Sequence, residues 1–567
     1  MAESKAAPFQ AEWKDPGLTP RQIKLTLIGV MFAMFLASLD QTIVATAIPR
    51  IMADLDGFDR FTWISTAYIV ASTSVVLITG AVSDVYGRKW LFVGAIAIFL
   101  VGSALAAFSP TMNALIVFRG VQGLGGGMIM ALSFVTIADL FPPNERAKYM
   151  GIISAMFGVS SVLGPTLGGF ITDQLSWEWI FLVNIPLGIP VIALFIKLFP
   201  NGKKDGPKRK IDVGGAVLIV LAIVPGLLGL SWGGNQYEWS DPLVMGSLIF
   251  SGVMVVVFVL YETRISEPLL PLAVFKNRIV GIALLVTLLT GFAMFGAIFF
   301  VPLLFQGVLG ASPTASGSFL TPMMLGIVFG AAISGQILAR TGGHYRLQGL
   351  IGVSIMAAGM FLLSRVSGST THAYALSSAV LMGFGLGTSF PLYTIAIQNG
   401  VPQQYLGIAT SSAQFFRSVG GSIGLALFGS YMVRQFKDGM HDNLPAEAFE
   451  VVPPQLLDQI TSNPNALINS GASESLMGAF AANGESGVAL GESVFAAIRE
   501  SLAGAIGDVF FLAFIFVALA VVATVFIREV PLRKRGGPPP GDRPGSTPDS
   551  HSGTVAPESP SSDSPAS

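Results

Sequence analysis

Leu39-Asp40-Gln41-Thr42-Ile43-Val44-Ala45-Thr46-Ala47-Ile48-Pro49 closes the first long apolar run of the chain, which begins near Ile23. A run of that length crosses a bilayer as a helix. Asp40 sits inside it. An ionised Asp at membrane depth costs about 2.5–3.5 kcal/mol, so such groups are usually partnered and functional. The plainer reading places Asp40 near the outer end of the span, where it reaches water. The residues Gln41–Arg50 still follow before the external loop, which favours depth.

Outward from this stretch the chain keeps the same character. Of 567 residues, 52% are hydrophobic and 11% charged, with a mean hydropathy of +0.68. Soluble domains carry about 25% charged residues. The chain therefore reads as an all-α polytopic membrane protein whose surroundings are the lipid bilayer. A net charge of −1 gives no field for nucleic acid, and no nucleic-acid partner is expected. The absence of cysteine excludes disulfides and thiolate metal sites, and four scattered histidines give no ligand cluster. No Walker motif is present, so ATP coupling is not expected and no cofactor is called for. The polar first twenty residues precede a run too long for the apolar region of a cleaved signal peptide, so the first span stays.

Fourteen candidate spans follow, among them 24–48, 112–139, 147–172, 212–232, 243–262, 316–339, 407–433 and 508–528. Lys and Arg collect in alternate loops, such as Arg88-Lys89, Arg146/Lys148, Lys203-Lys204 and Arg340/Arg346. Positive charge stays cytoplasmic, which puts both termini inside and agrees with an even number of spans. Residues 434–505 form a long polar loop between spans 13 and 14 on the outer side. Its amphipathic fragments Gln455–Ile460 and Val494–Ile506 fit a partly helical cap, and its composition also fits a passive linker. The Pro/Gly/Ser-rich tail from Gly536 reads as disordered.

A weak internal repeat organises the spans. Gly80-Ala81-Val82-Ser83-Asp84-Val85-Tyr86-Gly87-Arg88 leaves span 2, and Gly335-Gln336-Ile337-Leu338-Ala339-Arg340-Thr341-Gly342-Gly343 leaves span 10 with the same glycine spacing. The alignment pairs spans 1–6 with 9–14 and leaves 7 and 8 over. The division that results is a cytoplasmic N-terminal segment (1–22) and a first six-helix half (23–200). A loop with two inserted helices (201–265) leads to a second half (266–530), and a cytoplasmic tail (531–567) closes the chain. Repeated halves are a transporter architecture, with the substrate site between them near the midplane. The inserted pair should lie to one side and face lipid, because Val213–Leu230 and Leu243–Leu260 carry no charge.

Four stretches carry chemistry. Gly80–Leu91 is a tight turn whose glycines, Gly80 and Gly87, tolerate unusual backbone angles, with Asp84 and Arg88 available as a charged latch. The plain alternative is an ordinary positive-inside loop. Arg119-Gly120-Val121-Gln122-Gly123-Leu124-Gly125-Gly126-Gly127 sets an Arg in an apolar run, which calls for a counter-charge. At 1.5 Å per residue Asp40 lies roughly 13 Å below the outer end of span 1, and Arg119 roughly 11 Å below that of span 4. The two are at similar depth; otherwise Arg119 snorkels to the outer interface. Gly158-Val159-Ser160-Ser161-Val162-Leu163-Gly164-Pro165-Thr166-Leu167-Gly168-Gly169 bends span 5 at Pro165 and allows close backbone approach. Gly326, Gly330 and Ser334 give span 10 a matching small face, so spans 5 and 10 are expected to pack and seal the outer side, or simply to pack. Trp177-Glu178-Trp179-Ile180-Phe181-Leu182-Val183-Asn184 opens span 6 as an interfacial belt. In span 13, Arg417 lies near mid-membrane, facing the cavity or bonding backbone carbonyls.

Together these stretches resemble the major facilitator superfamily, in its fourteen-spanner drug:proton antiporter branch, over roughly residues 20–530. The resemblance implies two six-helix halves plus two inserted helices. It implies a secondary exporter in the plasma (inner) membrane, driven by the proton gradient, a monomer exchanging amphipathic, often cationic, drug-like compounds for protons by alternating access. It places Asp40, Arg119, Gln122 and Arg417 in proton and substrate coupling. Gly80, Asp84, Gly87 and Arg88 belong to a cytoplasmic gate, with Asp84 facing the start of span 13 near Gly407. Gly158, Gly164, Pro165, Gly168 and Gly169 form the antiporter motif. The chain departs from the pattern at Ala339, which stands where the first half has Asp84. An exporter of lipids or another endogenous apolar compound is the alternative from the same superfamily. A membrane scaffold or a channel explains the buried charge less well.

Overall fold

A computed structural model describes residues 17–55, 62–199, 211–233, 237–310, 313–341, 343–402, 405–445, 447–448, 480 and 484–529. The expectations for the tail and for Gln455–Ile460 lie outside these residues. Among them the structure is helical, with fourteen long helical units in chain order and a short 3₁₀ turn at Leu272–Lys276. These are α1 (Pro20–Asp54), α2 (Thr62–Tyr86), α3 (Lys89–Ala107), α4 (Met112–Leu140) and α5 (Pro143–Gln174). The sixth, α6, is Trp179–Leu182 and Asn184–Leu198 with Val183 turning between them. Then come α7 (Val213–Trp232), α8 (Pro242–Glu262), α9 (Arg278–Leu303, prolonged by a π turn at Leu304–Val308), α10 (Pro313–Thr341) and α11 (Tyr345–Leu363). Last are α12 (His372–Asn399), α13 (Leu406–Asn443) and α14 (Gly484–Val525). Thirteen stretches among the described residues are long and apolar enough to cross a membrane. The remaining unit, α13, misses that standard because its turns carry Ser411, Ser412, Gln414, Arg417 and Ser418; Ser411, Ser412 and Arg417 are buried inside the bundle.

Close backbone approach at glycine sets the packing inside each half. A Cβ on Gly102 of α3 would lie 2.5 Å from the Gln122 nitrogen of α4, and one on Gly125 would lie 2.5 Å from the Phe99 nitrogen. The second half repeats this. Gly359 of α11 lies against the Met382 backbone of α12, and Gly385 against that of Met356. The α3–α4 and α11–α12 pairs are thus built alike, as a repeat pairing spans 1–6 with 9–14 requires. One core fills α9–α14, and two smaller ones fill α1–α6.

The halves meet along α2–α13 and along α5–α10. At the first seam Gly80 lies against Ser411 and the Gly407 carbonyl; at the second, a Cβ on Gly151 would lie 3.0 Å from the Ala331 carbonyl oxygen. Both contacts lie toward the end of the bundle that carries Arg88 and Arg146, here called the basic end. The inserted pair α7–α8 leans on α2 and α13 through Leu77, Ile223, Leu227, Phe258 and Ile408. Most of α8 is bare, with Ile249, Val253, Val256 and Leu260 exposed, as a lipid-facing helix should be.

Three expectations change. The small face of α10 packs on α12 rather than α5: Gly326 meets the Val380 carbonyl, Gly330 that of Phe384, and Ser334 donates to the Thr388 carbonyl at 3.1 Å. Small residues admit any close neighbour, so they do not choose a partner. Trp177 is 3% exposed and sits edge-on to Phe181 in the core, while Trp179 alone of the pair is half exposed. Spans 13 and 14 are also longer than their apolar runs. Val494, Ile498, Leu502 and Ile506 repeat at helical spacing and bury in one cluster with Phe436 and Met440. This continues α13 and α14 into a two-helix hairpin at the end opposite the basic one. Gln435 donates to Asp508 at 2.9 Å and Asn443 to Ser501 at 3.1 Å across it. The helical reading of Val494–Ile506 holds.

Candidate functional site

Asp40 of α1 is buried, with no exposed surface, and Arg119 of α4 is 2% exposed. Arg119 Nη1 lies 2.6 Å from Asp40 Oδ2. The same Nη1 donates to Gln122 Oε1 at 2.7 Å, and Gln122 Nε2 donates to Asp40 Oδ1 at 2.8 Å. The depth match between spans 1 and 4 therefore ends in an ion pair. One further donor to Asp40, Asn184, and a bridging hydroxyl, Ser103, complete a cage. Asn184 Nδ2 of α6 reaches Asp40 Oδ1 at 3.0 Å and Ser103 Oγ of α3 at 2.9 Å; Gln122 Nε2 also reaches Ser103 Oγ, at 3.0 Å. Ser103 donates its own O–H to the Phe181 carbonyl at 2.8 Å.

The guanidinium is enclosed from the other side. Its carbon stands 4.5 Å over the Tyr68 ring and 5.7 Å from Phe181, and Nε donates to the Ile64 carbonyl at 3.3 Å. Tyr68 can come so close because Gly123 and Gly126 of α4 leave room for its backbone and ring. A buried pair of this kind is sensitive. Removing one partner strands the other charge at a cost of about 3–5 kcal/mol. Sequence reasoning missed Asn184, Ser103 and Tyr68. Asn184 lies at the end of the Trp177–Asn184 stretch, and one polar residue at the start of an apolar run is the signal that could have found it.

The cage belongs to one half only. The repeated glycine contacts put Met382 where Gln122 stands, and counting back three residues puts Ala379 where Arg119 stands. Among the described residues the buried charge of the second half is Arg417, which is 6% exposed. Its Nη1 donates to Gln414 at 3.0 Å, and its guanidinium stacks over Phe390 of α12 at 4.2 Å. Where the sequence reading offered the cavity or backbone carbonyls, Arg417 thus meets a side-chain amide and a ring face.

At the basic end Asp84 spans the seam between halves. Its Oδ2 accepts the Ile408 backbone N–H at 3.2 Å, in the first turn of α13, where the partial positive charge of the helix favours an anion. Its Oδ1 lies 2.8 Å from Arg88 Nη2. Arg88 also reaches Asp139 of α4 at 2.8 Å and Ser83 at 2.7 Å. Burial alone would push the Arg88 guanidinium down, but Asp139 and then Asp84 outweigh it and its pKa rises above the ordinary value. Gly87 turns the chain at φ 84°, an angle that favours glycine. Gly80 lets Ser411 and Gly407 come close. Asp139 was not foreseen. It also faces Arg146, whose guanidinium burial pushes down to about 10, with Asp139 offsetting part of that shift.

The span 5 motif meets different partners from those expected. Gly158 lies 2.5 Å from Val328 of α10, measured from an added Cβ, but Gly164 fits against Thr42 of α1. Thr42 Oγ1 donates to the Ser160 carbonyl at 2.9 Å. An added Cβ on Gly169 would meet nothing within 4 Å, and Gly168 accepts from Thr172 within its own helix. Pro165 lies in α5, and its side chain is outside those described. The motif thus joins α5 to α1, beside Asp40. The approach to α10 falls at Gly151 and Gly158, not at the outer end.

Residues 30–425 match the family model described as Major Facilitator Superfamily. The chain belongs to the major facilitator superfamily. It is a multi-pass membrane transporter, not an enzyme, with two six-helix halves and two inserted helices. Among curated relatives, it is 35% identical over 524 residues to "Multidrug transporter protein MdtP" of Bacillus subtilis (strain 168), covering 91% of this chain and 95% of that one. It is 38% identical over 419 residues to "Multidrug resistance protein 3" of the same organism, covering 74% and 81%. Among solved structures, the human organic anion transporter MFSD10 (TETRAN) superposes with a TM-score of 0.55 at 14% identity, over 88% of this chain and 100% of that one. That likeness is one of fold.

Proposed function

We propose that this transporter exports amphipathic, cationic, drug-like compounds in exchange for protons, by alternating access, as a monomer in the plasma (inner) membrane. The basic end is cytoplasmic and both termini are inside. The observation that carries the reading is the Asp40 cage, a carboxylate at membrane depth whose charge is met by Arg119 and by amide donors. The names of the bacillary relatives support export of drugs.

A proton on Asp40 cancels the charge that Arg119 pairs with, so loading breaks the ion pair and frees α1 from α4. A cationic substrate can neutralise the same carboxylate, which makes the two ligands competitors. Asp40 has no exposed surface here, so exchange with either compartment requires the helices to move. The Asp84 contact with α13 holds the cytoplasmic side closed in this conformation. Exchange of one monovalent cation for one proton moves no net charge, so the pH difference drives it: one pH unit supplies about 1.4 kcal/mol, which sustains about a tenfold substrate gradient.

The test is dye and drug transport in proteoliposomes with an imposed pH gradient. Uphill substrate movement that collapses with the gradient supports the reading. Movement that only equilibrates, whatever the pH difference, rejects it in favour of a channel or a facilitator.

A further inference from the structure

The inserted helix pair ends in two buried acids that the transport cycle above does not use. Asp212, 7% exposed, caps α7 through Gly215 N–H at 2.8 Å; Tyr261 O–H donates to the same Oδ1 at 3.2 Å. Glu262, 3% exposed, closes α8 and accepts the Leu270 N–H through Oε2 at 3.1 Å. The other oxygen of each, Asp212 Oδ2 and Glu262 Oε1, is buried without a hydrogen-bond partner. Both free oxygens sit beside Gly215, where an added Cβ would strike Asp212 Oδ2 and lie 2.5 Å from Glu262 Oε1. Among the described residues neither acid is in an ion pair, and no group of three or more acids or histidines could hold a metal ion.

Two adjacent carboxylate oxygens that lack donors cannot both be ionised cheaply. Like charges at that separation in a buried site force one group to keep a proton, as in paired-carboxylate sites generally. A single proton is also the smallest donor that would satisfy both oxygens at once.

The site has a neighbour. Ala81, Asp84, Asp212, Glu267, Tyr405 and Ile408 line one cleft between the foot of the inserted pair and the α2–α13 seam. The titratable and charged groups that face the pair and this cleft are Tyr261 of α8, Glu267 of the segment after it, Asp84 in the last turn of α2, and Tyr405 before α13; Arg88 stands behind them, paired with Asp84. We propose that Asp212 and Glu262 hold one proton between them, a second proton site whose occupancy sets the charge of the cleft behind the Asp84 contact. Loss of this proton puts a second negative charge beside Asp84. Repulsion then favours the state in which α2 and α13 part. The shared proton itself is independent of the role proposed for Asp40, while its effect rests on Asp84 acting as a gate.

Infrared difference spectra of the purified full-length protein test the site. A protonated-carboxyl C=O band at neutral pH should be absent from both Glu262→Gln and Asp212→Asn, and retained in Asp40→Asn. In the first two variants an amide donor replaces the shared proton, so both should elute as folded protein. A band unaffected by either substitution overturns the shared proton. So does a band that disappears when Na⁺ or Ca²⁺ is added at fixed pH, because it identifies a cation site. The effect is read with Ser411→Cys in the Cys-free chain. Labelling by an impermeant maleimide should rise at least about fivefold more with pH in this parent than in the parent carrying Glu262→Gln. Equal pH responses overturn the link to the seam.

Discussion

Replacing Asp84 should open the basic end by an amount the geometry sets. Asp84 bonds Arg88 within its own half and the Ile408 N–H of α13 across the seam. The bond across the seam distinguishes the closed state from the open one. Asp84→Asn keeps an acceptor oxygen but loses the charge that favours a helix N-terminus, worth about 1–2 kcal/mol in a partly buried site. That shifts the balance toward the open state by about 5- to 30-fold. Asp84→Ala loses the bond as well, worth about 1.5–3 kcal/mol when an ionised group is involved. Its shift should be the larger of the two. Arg88 keeps Asp139 and Ser83, so the turn itself should hold. Ser411 is a suitable reporter site, since it is buried against Gly80 and its hydroxyl has no partner to lose. Maleimide labelling of Ser411→Cys should therefore quicken in the order parent, Asp84→Asn, Asp84→Ala. Equal rates in all three would show that Asp84 does not hold the seam.

Other substitutions probe other links. Asn184→Leu removes a donor from Asp40 and from Ser103, and proton-driven export in proteoliposomes should fall about tenfold or more, as expected for a lost charge-assisted bond; unchanged export would remove Asn184 from the cage. Gly102→Ala forces a methyl onto the Gln122 backbone and should lower thermal stability by about 1–3 kcal/mol of overpacking, read as a drop in melting temperature. Single-cysteine scanning along Val213–Leu230 should find no continuous water-accessible stripe, since α7 meets α2, α8 and α13 and otherwise faces lipid.

The fold was legible because membrane spans are written in runs of apolar residues, and the repeat because its glycines recur at one spacing. The Asp40–Arg119 pair was legible because isolated charges in apolar runs must find each other, and depth along a helix is simple arithmetic. Asn184 and Ser103 were hidden because a neutral polar residue in a span costs little and has many uses. Asp139 sits where a span ends, a position at which acids are ordinary. The partners of glycine-rich faces were unreadable for a different reason. Gly164 and Gly330 specify how near a neighbour comes, and only the assembled bundle specifies that the neighbours are Thr42 and Phe384. The α13–α14 hairpin was legible in part: Val494–Ile506 reads as an amphipathic helix, but its apolar residues are spaced through a polar loop of low mean hydropathy, so its continuity with span 14 was not.

The measurement that bears most directly on Asp40 as the shared site for proton and substrate is substrate-triggered proton release from the purified transporter, followed in weakly buffered solution. The wild-type protein should release protons when a cationic substrate is added, and Asp40→Asn should release none, although it remains folded. Undiminished release from Asp40→Asn would contradict the account and place the exchanged proton elsewhere.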